Sequence, residues 1–396
     1  MQRIHIVGGG LAGLTAAVTA AECRAQVTLH EAHHTLGGRA RTAEGPYLTN
    51  EGPHALYRGG PHWAWLKQRG LLGPLASAPL FEGTRFLFHR DGALRRVPPL
   101  GLLRLARRRH APVDTDFLSW ATGQTDEETA RAAAHYMGVA LFHHDPGSLS
   151  AAFVQERLRR ATALPPEARY PVGGWAQLVD RMAARAWNLG VRVETTRRVD
   201  ASALAGLART GPVIVATHLD SARTLLDDPS LTWDSGRTTL VDLAVRTRRG
   251  DPYILSDLDA PGWIERFTAS DPTLAPHGEQ LVQGQIPLAP GTPRAEAVRR
   301  AEHLLDLGFP GWRTRTTWRR EALASGRTGA VDRPGTTWRD RPAIDRGDGI
   351  LLAGDQVAAP GLLSEVSFTS GIEAAVRALE LLGTAPRDTG LDLKRS

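Results

Sequence analysis

A glycine-rich turn lies close to the amino terminus and reads Gly8-Gly9-Gly10-Leu11-Ala12-Gly13. Gly8 would let the chain turn tightly, Gly10 would let the backbone approach a pyrophosphate, and Gly13 would let the following helix pack closely against the preceding strand. A helix that begins at Leu11 and Ala12 would direct its free N–H groups and the positive end of its dipole at the phosphates. The turn therefore predicts a site for the pyrophosphate of a dinucleotide.

The elements on either side of this turn have the order that such a site requires. Arg3–Val7 predicts a short buried strand, Leu11–Arg24 a helix, and Gln26–His30 a second parallel strand. Glu31 follows, where its carboxylate can accept hydrogen bonds from both ribose hydroxyls, and its charge would repel a 2′-phosphate, which argues against NADP. A glycine turn alone is a weak signal, but a complete strand–helix–strand unit favours a dinucleotide site over a purely structural turn.

A second glycine element distinguishes between the dinucleotides. Gly37 and Gly38 precede Arg39 a few residues after the acid, and they would let the backbone pass close to the ligand. NAD dehydrogenases have no need for this element. A flavin dinucleotide is longer, and Arg39 would give its pyrophosphate a charge-assisted hydrogen bond. We therefore expect FAD as the cofactor.

These motifs resemble those of the FAD-dependent amine oxidase, phytoene desaturase and protoporphyrinogen oxidase superfamily. The resemblance also covers the stretch from Leu48 to Tyr57, which is similar to the superfamily's loop beside the flavin ring and contains Gly52, Pro53 and His54. It implies that these three residues contact the cofactor. His54 has an ordinary pKa near 6.5 and is the candidate catalytic base; the alternative is that it merely orients the loop.

The carboxyl-terminal part resembles the closing FAD motif of the same superfamily. Gly349–Asp355 predicts a buried strand that ends in Gly354 and Asp355, and a loop through Val366 and Ser367 leads to a helix that starts near 369–371. The resemblance implies that Asp355 contacts the ribityl-phosphate region and that the helix points its amino end at the flavin. It also implies a backbone contact from Val199 to the adenine; the alternative is an ordinary core valine.

The expected fold class is α/β, a Rossmann-type FAD-binding domain with an inserted mixed α+β substrate domain. The FAD domain would be discontinuous, from residues 1–75, 170–220 and 343–385, and the substrate domain would comprise 76–169 and 221–342. In the substrate domain we expect a helix over 126–141 capped by Thr125, and strands over 239–246 and 280–288. Three tryptophans are candidates for the pocket lining or for the core: Trp312, Trp318 and Trp338.

Composition narrows the function classes. The chain has 396 residues, a net charge of +6 and a single cysteine, Cys23, so no internal disulfide can form. No run is apolar enough for a transmembrane helix and no signal peptide is evident, so we expect a cytoplasmic protein.

The positive charge comes from arginines dispersed along the chain, and no nucleic-acid-binding module is present, so nucleic acid is not an expected partner. The histidine pairs 33–34 and 143–144 are adjacent, which does not suit a metal, so no metal is expected.

A leucine- and arginine-rich segment, residues 97–109, suits a peripheral contact with an anionic membrane or a substrate entrance. An amphipathic helix of the substrate domain is the alternative. The oligomeric state is left open by the sequence.

The expected activity is that of an FAD-dependent oxidoreductase, which removes a hydride from a largely apolar small molecule. No nucleophile, metal set or lysine base stands beside the flavin motifs, so the protein would supply positioning and desolvation. Lys67 and Lys394 are the only lysines, and neither matches the lysine that typical amine oxidases place near the flavin. The alternatives are a flavin-dependent redox-neutral isomerase and a protein that binds FAD without turnover.

Overall fold

The computed structural model describes residues 3–51 and 55–385. Its strands are β1 (Ile4–Val7), β2 (Val27–His30), β3 (Leu56–Tyr57), β4 (Leu75–Ala76), β5 (Phe86–Arg90), β6 (Ala93–Arg95), β7 (Ala168–Pro171), β8 (Arg192–Glu194), β9 (Val213–Val215), β10 (Ser235–Arg246), β11 (Ile254–Asp257), β12 (Gly262–Arg266), β13 (Glu279–Pro287), β14 (Thr316–Ala330) and β15 (Ile350–Leu352). Its α-helices are α1 (Leu11–Glu22), α2 (Pro61–Gln68), α3 (Leu100–Ala106), α4 (Phe117–Gln124), α5 (Glu127–Leu141), α6 (Ala151–Ala161), α7 (Ala176–Asn188), α8 (Ala201–Ala208), α9 (Leu219–Leu226), α10 (Arg294–Gly308), α11 (Trp312–Arg315) and α12 (Ser364–Leu381).

A five-stranded parallel sheet forms the first layer, in the order β15-β9-β1-β2-β8. Its strands come from both ends and the middle of the chain, within the three segments predicted for the FAD domain. The strands β1, β2 and β9 are buried along their whole length, as expected for a sheet covered on both faces. This confirms the expected α/β fold with a Rossmann-like parallel sheet.

Two helices from opposite ends of the chain, α1 and α12, pack closely against each other beside this sheet. Small residues make the approach possible: a Cβ on Gly371 would lie 2.5 Å from the carbonyl oxygen of Ala12. Likewise, a Cβ on Gly13 would lie 1.9 Å from the carbonyl oxygen of Gly8, so the helix can begin directly beside the turn because this residue is glycine. The predicted role of Gly13 in close packing is therefore seen in the structure.

A seven-stranded mixed sheet forms the second large layer, in the order β14-β10-β13-β12-β11-β5-β6. One face carries apolar side chains such as Val241, Ile264 and Val282, which pack with α10 into a separate core. The opposite face lies toward the loop at residues 47–50 and toward α5: Tyr47 and Leu48 pack in the cluster that contains Leu281, and Gln285 donates to the Val139 carbonyl at 2.8 Å. The loop at residues 47–50 and helix α5 therefore cover this second face.

Helices α3 to α6 form a compact helical unit with its own buried cluster. The expected helix over 126–141 is present, but Thr125 is not its cap. The Asp126 carboxylate accepts from the Thr129 amide at 2.7 Å and caps α5, while the Thr125 hydroxyl donates to the Ala121 carbonyl of α4 at 2.9 Å. Within the described residues, no helix is both long and apolar enough to cross a membrane.

The three tryptophans proposed for the pocket lie in different environments. Trp312 is buried in the core beneath the seven-stranded sheet, in line with the core alternative. Trp318 stands next to Tyr47, with ring centroids 5.2 Å apart, on the enclosed side. Trp338 stacks under the Arg339 guanidinium at 4.2 Å.

Candidate functional site

The glycine turn follows β1 at the carboxyl edge of the parallel sheet. Gly8 has a φ of +110° and donates its N–H to the His30 carbonyl at 2.8 Å, which fixes the start of the turn. A Cβ on Gly10 would meet one carbonyl oxygen, of Gly37, at 4.0 Å, so this position faces open space. The backbone at Gly10 is thus open to the approach of a ligand.

The amino end of α1 is uncapped by any side chain. The first hydrogen bond of the helix runs from the Leu14 amide to the Gly10 carbonyl at 2.9 Å, so the amides of Leu11, Ala12 and Gly13 precede the helical ladder. N–H groups in this position, together with the helix dipole, suit a phosphate. The donor set at this end of the sheet therefore fits the pyrophosphate of a dinucleotide.

Glu31 is buried where β2 ends, beside the turn. Its carboxylate accepts from the Gly9 amide at 2.7 Å and from the His33 amide at 2.8 Å. Each carboxylate oxygen keeps acceptor capacity for a ribose hydroxyl. Glu31 thus also holds the glycine turn in place, a second task that sequence spacing did not indicate.

The loop that contains the second glycine element packs directly on the first. The Gly37 amide donates to the Gly9 carbonyl at 2.8 Å, and Gly38, with a φ of +57°, is so close to Gly10 that a Cβ on it would lie 3.3 Å from the Gly10 Cα. Val199 lies half-buried against the main core, shortly after Arg197, whose amide donates to the Glu31 carbonyl at 2.8 Å. The predicted adenine contact of Val199 remains a prediction.

Arg39 and Asp355, which lie far apart in sequence, form an ion pair. Arg39 Nη1 lies 2.7 Å from Asp355 Oδ2 and also donates to the Arg327 carbonyl. Burial alone would raise the pKa of Asp355, but the Arg39 charge outweighs it and lowers that pKa. The pair joins the second glycine element to the carboxyl-terminal motif at the same edge of the sheet.

Helix α12 begins earlier than the sequence predicted. It starts at Ser364, so Val366 and Ser367 lie in its first turns and are buried, and they do not belong to a preceding loop. The hydroxyls at the predicted start bond inside the structure, since Thr369 Oγ1 donates to the Pro360 carbonyl and Ser370 Oγ donates to the Gly354 carbonyl. The helix can extend amino-terminally because the Arg160 guanidinium pairs with Glu365 in its first turn, at 2.7 and 2.9 Å.

Gly52, Pro53 and His54 lie outside the described residues, so the cofactor contacts of this loop and the catalytic role of His54 stay predictions. The chain just before them is firmly held, because the Asn50 side-chain oxygen accepts from Thr42 Oγ1 at 2.9 Å and from the Trp175 amide at 3.2 Å. Lys67 is exposed on α2, and Lys394 lies beyond the described residues.

A row of polar side chains crosses the enclosed face of the second sheet. Arg320, Asp242, Gln283 and Glu265 occupy matching register positions on the neighbouring strands β14, β10, β13 and β12. Arg320 Nη2 lies 2.7 Å from Asp242 Oδ2, and the Gln283 amide donates to the other oxygen of Asp242. At the β14 end of the row, Arg320 Nη2 lies 3.5 Å from the Asn50 carbonyl. This polar row thus reaches the loop that the sequence predicted to lie beside the flavin.

Glu265 closes the other end of the polar row. The Tyr170 hydroxyl donates to Glu265 Oε1 at 3.1 Å, and the Tyr253 hydroxyl also bonds to this carboxylate. Burial raises the pKa of Glu265 to about 7, although the two tyrosines oppose the shift. A buried carboxyl that titrates near neutral pH is suited to exchange a proton. Sequence reasoning missed it, although an acid within the apolar strand pattern 262–266 was an available signal.

A cluster of potential metal ligands lies elsewhere, at the edge of the second sheet. Ligand atoms of His89, Asp257 and Asp259 lie within 4.8 Å of one another. The carboxylate of Asp259 accepts from the amides of Asp91 and Gly92, and His89 Nδ1 lies 2.9 Å from Asp257 Oδ1. These bonds brace the β5–β6 hairpin, which is a sufficient structural reason for the cluster.

The buried carboxyl predicts a distinctive pH dependence of stability. Because the pKa of folded Glu265 lies above its ordinary value of 4.5, the folded state binds more protons than the unfolded state, so stability falls as pH rises through this window. We expect the Glu265→Gln variant to lack this loss, and its free energy of unfolding to gain about 3 kcal/mol relative to wild type between about pH 4 and pH 8. Denaturant unfolding at several pH values measures the free energy of unfolding of both proteins. If this free energy depended on pH in the same way in the wild type and the variant, the raised pKa of Glu265 would be wrong.

Comparison with known proteins agrees with this geometry. Residues 6–69 match the family described as the NAD(P)-binding Rossmann-like domain. No curated protein matches the chain. The fold is similar to that of an oxidoreductase from Methanosarcina mazei, with a TM-score of 0.73 at 16% identity over 95% of this chain and 100% of the other.

Two further structures have the same fold. Cyclohexylamine oxidase from Brevibacterium oxydans aligns with a TM-score of 0.70 at 17% identity over 96% of this chain and 99% of its own. A reduced UDP-galactopyranose mutase aligns with a TM-score of 0.68 at 14% identity over 100% of this chain and 98% of its own. At such low identities the likeness establishes the fold. The chain therefore has the fold that these structures share, and its residues 6–69 match the NAD(P)-binding Rossmann-like domain.

Proposed function

We propose that this chain is an FAD-dependent oxidoreductase. The observation that carries the proposal is the uncapped amino end of α1, where the backbone at Gly10 faces open space between Glu31 and the Arg39–Asp355 pair. Backbone N–H groups for phosphate, a carboxylate for ribose and an arginine for the second phosphate are the donor and acceptor set that a flavin dinucleotide needs. The similar folds of oxidases support the same choice.

When FAD is bound, its flavin supplies the hydride acceptor. The residues of this chain would bind and orient the cofactor, exclude water and hold the substrate. Helix α12 contributes the positive end of its dipole at an amino terminus without a side-chain cap. The acid in its first turn, Glu365, does not cancel this field because Arg160 neutralises it through two hydrogen bonds.

The polar row bears on the chemistry of the substrate. Gln283 Oε1 is buried and has no hydrogen-bond partner among the described residues, while the amide nitrogen of this side chain is fixed by the Asp242 carboxylate. A buried acceptor without a partner is costly, so a bound group that donates an O–H or N–H would satisfy it. We therefore propose that the largely apolar substrate expected from the sequence carries a hydroxyl or amino group that bonds to Gln283 Oε1.

Two residues are candidates for accepting a proton during hydride removal. His54 is the one proposed from sequence. Glu265 is the one added by the structure, because a buried carboxyl held by two tyrosine hydroxyls has a pKa of about 7. Proton acceptors are most effective when their pKa lies near the working pH, and a carboxyl with a pKa of about 7 meets this condition.

A redox-neutral isomerase is the second candidate function. Its specific support is the fold similarity to a UDP-galactopyranose mutase over the whole of this chain. In that case the flavin would return to its starting redox state in every turnover.

A peripheral membrane contact is a separate proposal. Leu102 and Leu105 of α3 are buried, while Val97, Leu100 and Leu103 project with 64, 69 and 40% of their area exposed. Arg107, Arg108 and Arg109 follow the helix and are exposed as well. Exposed leucines beside arginines suit the surface of an anionic bilayer.

The first prediction concerns the cofactor. The purified protein should be yellow, and acid precipitation should release FAD. Glu31→Ala and Arg39→Ala should each bind FAD at least about tenfold more weakly, because Arg39→Ala removes a charge-assisted hydrogen bond and Glu31→Ala removes the acceptor of the ribose hydroxyls and the support of the glycine turn. Glu44→Ala, an exposed acid of the neighbouring loop, is the matched control. Normal FAD content in both site variants, or flavin that stays attached after denaturation, would count against the proposal.

The second prediction separates the two candidate functions. In an anaerobic metabolite screen, a substrate of the oxidoreductase should bleach the flavin, and stopped-flow measurement should show slower bleaching in the variant that lacks the proton acceptor. Glu265→Gln and His54→Gln are the two variants to compare, and the loss is expected to be about 100-fold or more. Product formation with an unchanged flavin spectrum would replace the oxidoreductase with the isomerase.

The third prediction concerns the membrane. Liposomes that contain phosphatidylserine should co-sediment the protein, whereas liposomes of phosphatidylcholine alone should not. Replacing Arg107, Arg108 and Arg109 by alanine should abolish this binding, while alanine at three exposed arginines elsewhere, Arg209, Arg248 and Arg249, should not. Equal binding of the two triple variants would refute the contact.

A further inference from the structure

The carboxyl of Glu265 lies on β12 with 1% of the residue exposed, so it has no direct contact with bulk solvent. A group that accepts a proton in every turnover must also release it before the next one. Where water is excluded, a proton can leave through hydroxyl groups, because a hydroxyl can donate one hydrogen bond while it accepts another. The side chains that bond to Glu265 therefore determine how this carboxyl exchanges its proton.

Two tyrosine hydroxyls bond to this carboxyl. The Tyr170 hydroxyl donates to Glu265 Oε1 at 3.1 Å, and the Tyr253 hydroxyl bonds both to the carboxylate and to the Tyr170 hydroxyl. Burial raises the pKa of both phenols, so both remain protonated at neutral pH. Each can therefore pass a proton on only by accepting one on its oxygen and donating its own in the same step.

Ser270 extends this hydroxyl network toward the surface. Its Oγ lies 3.1 Å from the Tyr253 hydroxyl oxygen, and either hydroxyl can be the donor of this bond. Tyr253 is buried, with 4% of its area exposed, whereas Ser270 is half-buried in the segment between β12 and β13. Water therefore reaches Ser270, and Tyr253 links this residue to the buried carboxyl.

The other acid close to Tyr253, Glu82, has a different environment. Its carboxylate is buried between two arginines, with Arg266 at 2.7 Å and Arg85 at 3.1 Å. These cations offset its charge, whereas the hydrogen-bond partners of Glu265 are hydroxyls. The hydroxyl network therefore serves Glu265 and not Glu82.

We propose that Tyr253 and Ser270 form a proton relay between Glu265 and solvent. The protonated carboxyl of Glu265 gives its proton to the Tyr253 oxygen, the Tyr253 O–H proton passes to the Ser270 oxygen, and the Ser270 O–H proton passes to water. Each O–H bond that breaks is matched by one that forms, so Glu265 regains its charge, both hydroxyls end neutral and water carries the proton. This inference rests on the proposed function, because it returns to solvent the proton that Glu265 accepts there.

The test follows the carboxyl itself, in the purified flavin-containing protein without substrate. A light-triggered pH jump across the pKa of Glu265, about 7, is followed by time-resolved infrared absorption of the protonated carboxyl, and Glu265→Gln identifies the band. Ser270→Val should slow the exchange at least about tenfold, because it replaces the hydroxyl with methyl groups that also exclude water. The titration midpoint of the band should not change, since the hydrogen-bond partners of Glu265 are the two tyrosines.

Tyr253→Phe should slow the exchange as well, and it should also raise the midpoint, because the lost hydroxyl stabilised the ionised carboxylate. Ser270→Thr keeps a hydroxyl and should exchange at the wild-type rate. Tyr47→Phe is the second matched control, because the Tyr47 hydroxyl donates to Glu279 at 2.7 Å and has no part in the network.

Three outcomes would overturn the relay. The first is exchange at the wild-type rate in either Ser270→Val or Tyr253→Phe. The second is slow exchange in Ser270→Val together with a shifted midpoint, which would mean that Ser270 supports the surroundings of the carboxyl instead. The third is the absence of a titrating band that Glu265→Gln removes. Flavin content and anaerobic reduction of the same samples test the proposed function separately, since the pH jump needs no turnover.

Discussion

The site depends on the placement of β9 between β1 and β15 in the parallel sheet. Parallel strands end at the same edge, so this arrangement brings the turn after β1, the acid after β2 and the Gly354-Asp355 pair after β15 to one place. The close contact of α1 with α12 holds the two chain ends together, because Gly371 has no Cβ to collide with the Ala12 carbonyl. The Arg39–Asp355 ion pair can form only in this arrangement.

Burial then determines which charged groups are structural and which are available for chemistry. Arg160 and Arg341 each meet a carboxylate with at least two hydrogen bonds, which offsets their desolvation and makes them structural. Glu265 meets hydroxyls instead of a cation, so its charged form is disfavoured. Glu265 is therefore the incompletely paired group that the proposed proton transfer would use.

The second sheet connects Glu265 to the loop that contains Asn50. Its apolar face is stabilised by packing with α10, which leaves the opposite face free to carry polar side chains. Matching register on four strands places Arg320, Asp242, Gln283 and Glu265 in one line. Hydrogen bonds join the first three to one another and Glu265 to Tyr170. The line ends at Asn50, so a substrate held there would lie close to the predicted flavin loop.

The sequence by itself determined the glycine turn, the acid after the second strand, the Gly-Gly-Arg element and the fold class. These features are local: glycine is required where backbones approach closely, and helices and strands follow from residue spacing over short windows. The tertiary structure alone decided that Arg39 pairs with Asp355, that α12 begins at Ser364, and that the polar row faces enclosed space. Those outcomes depend on contacts between residues far apart in sequence, on strand register and on the burial of charge, and none of these is encoded in the spacing of any one segment.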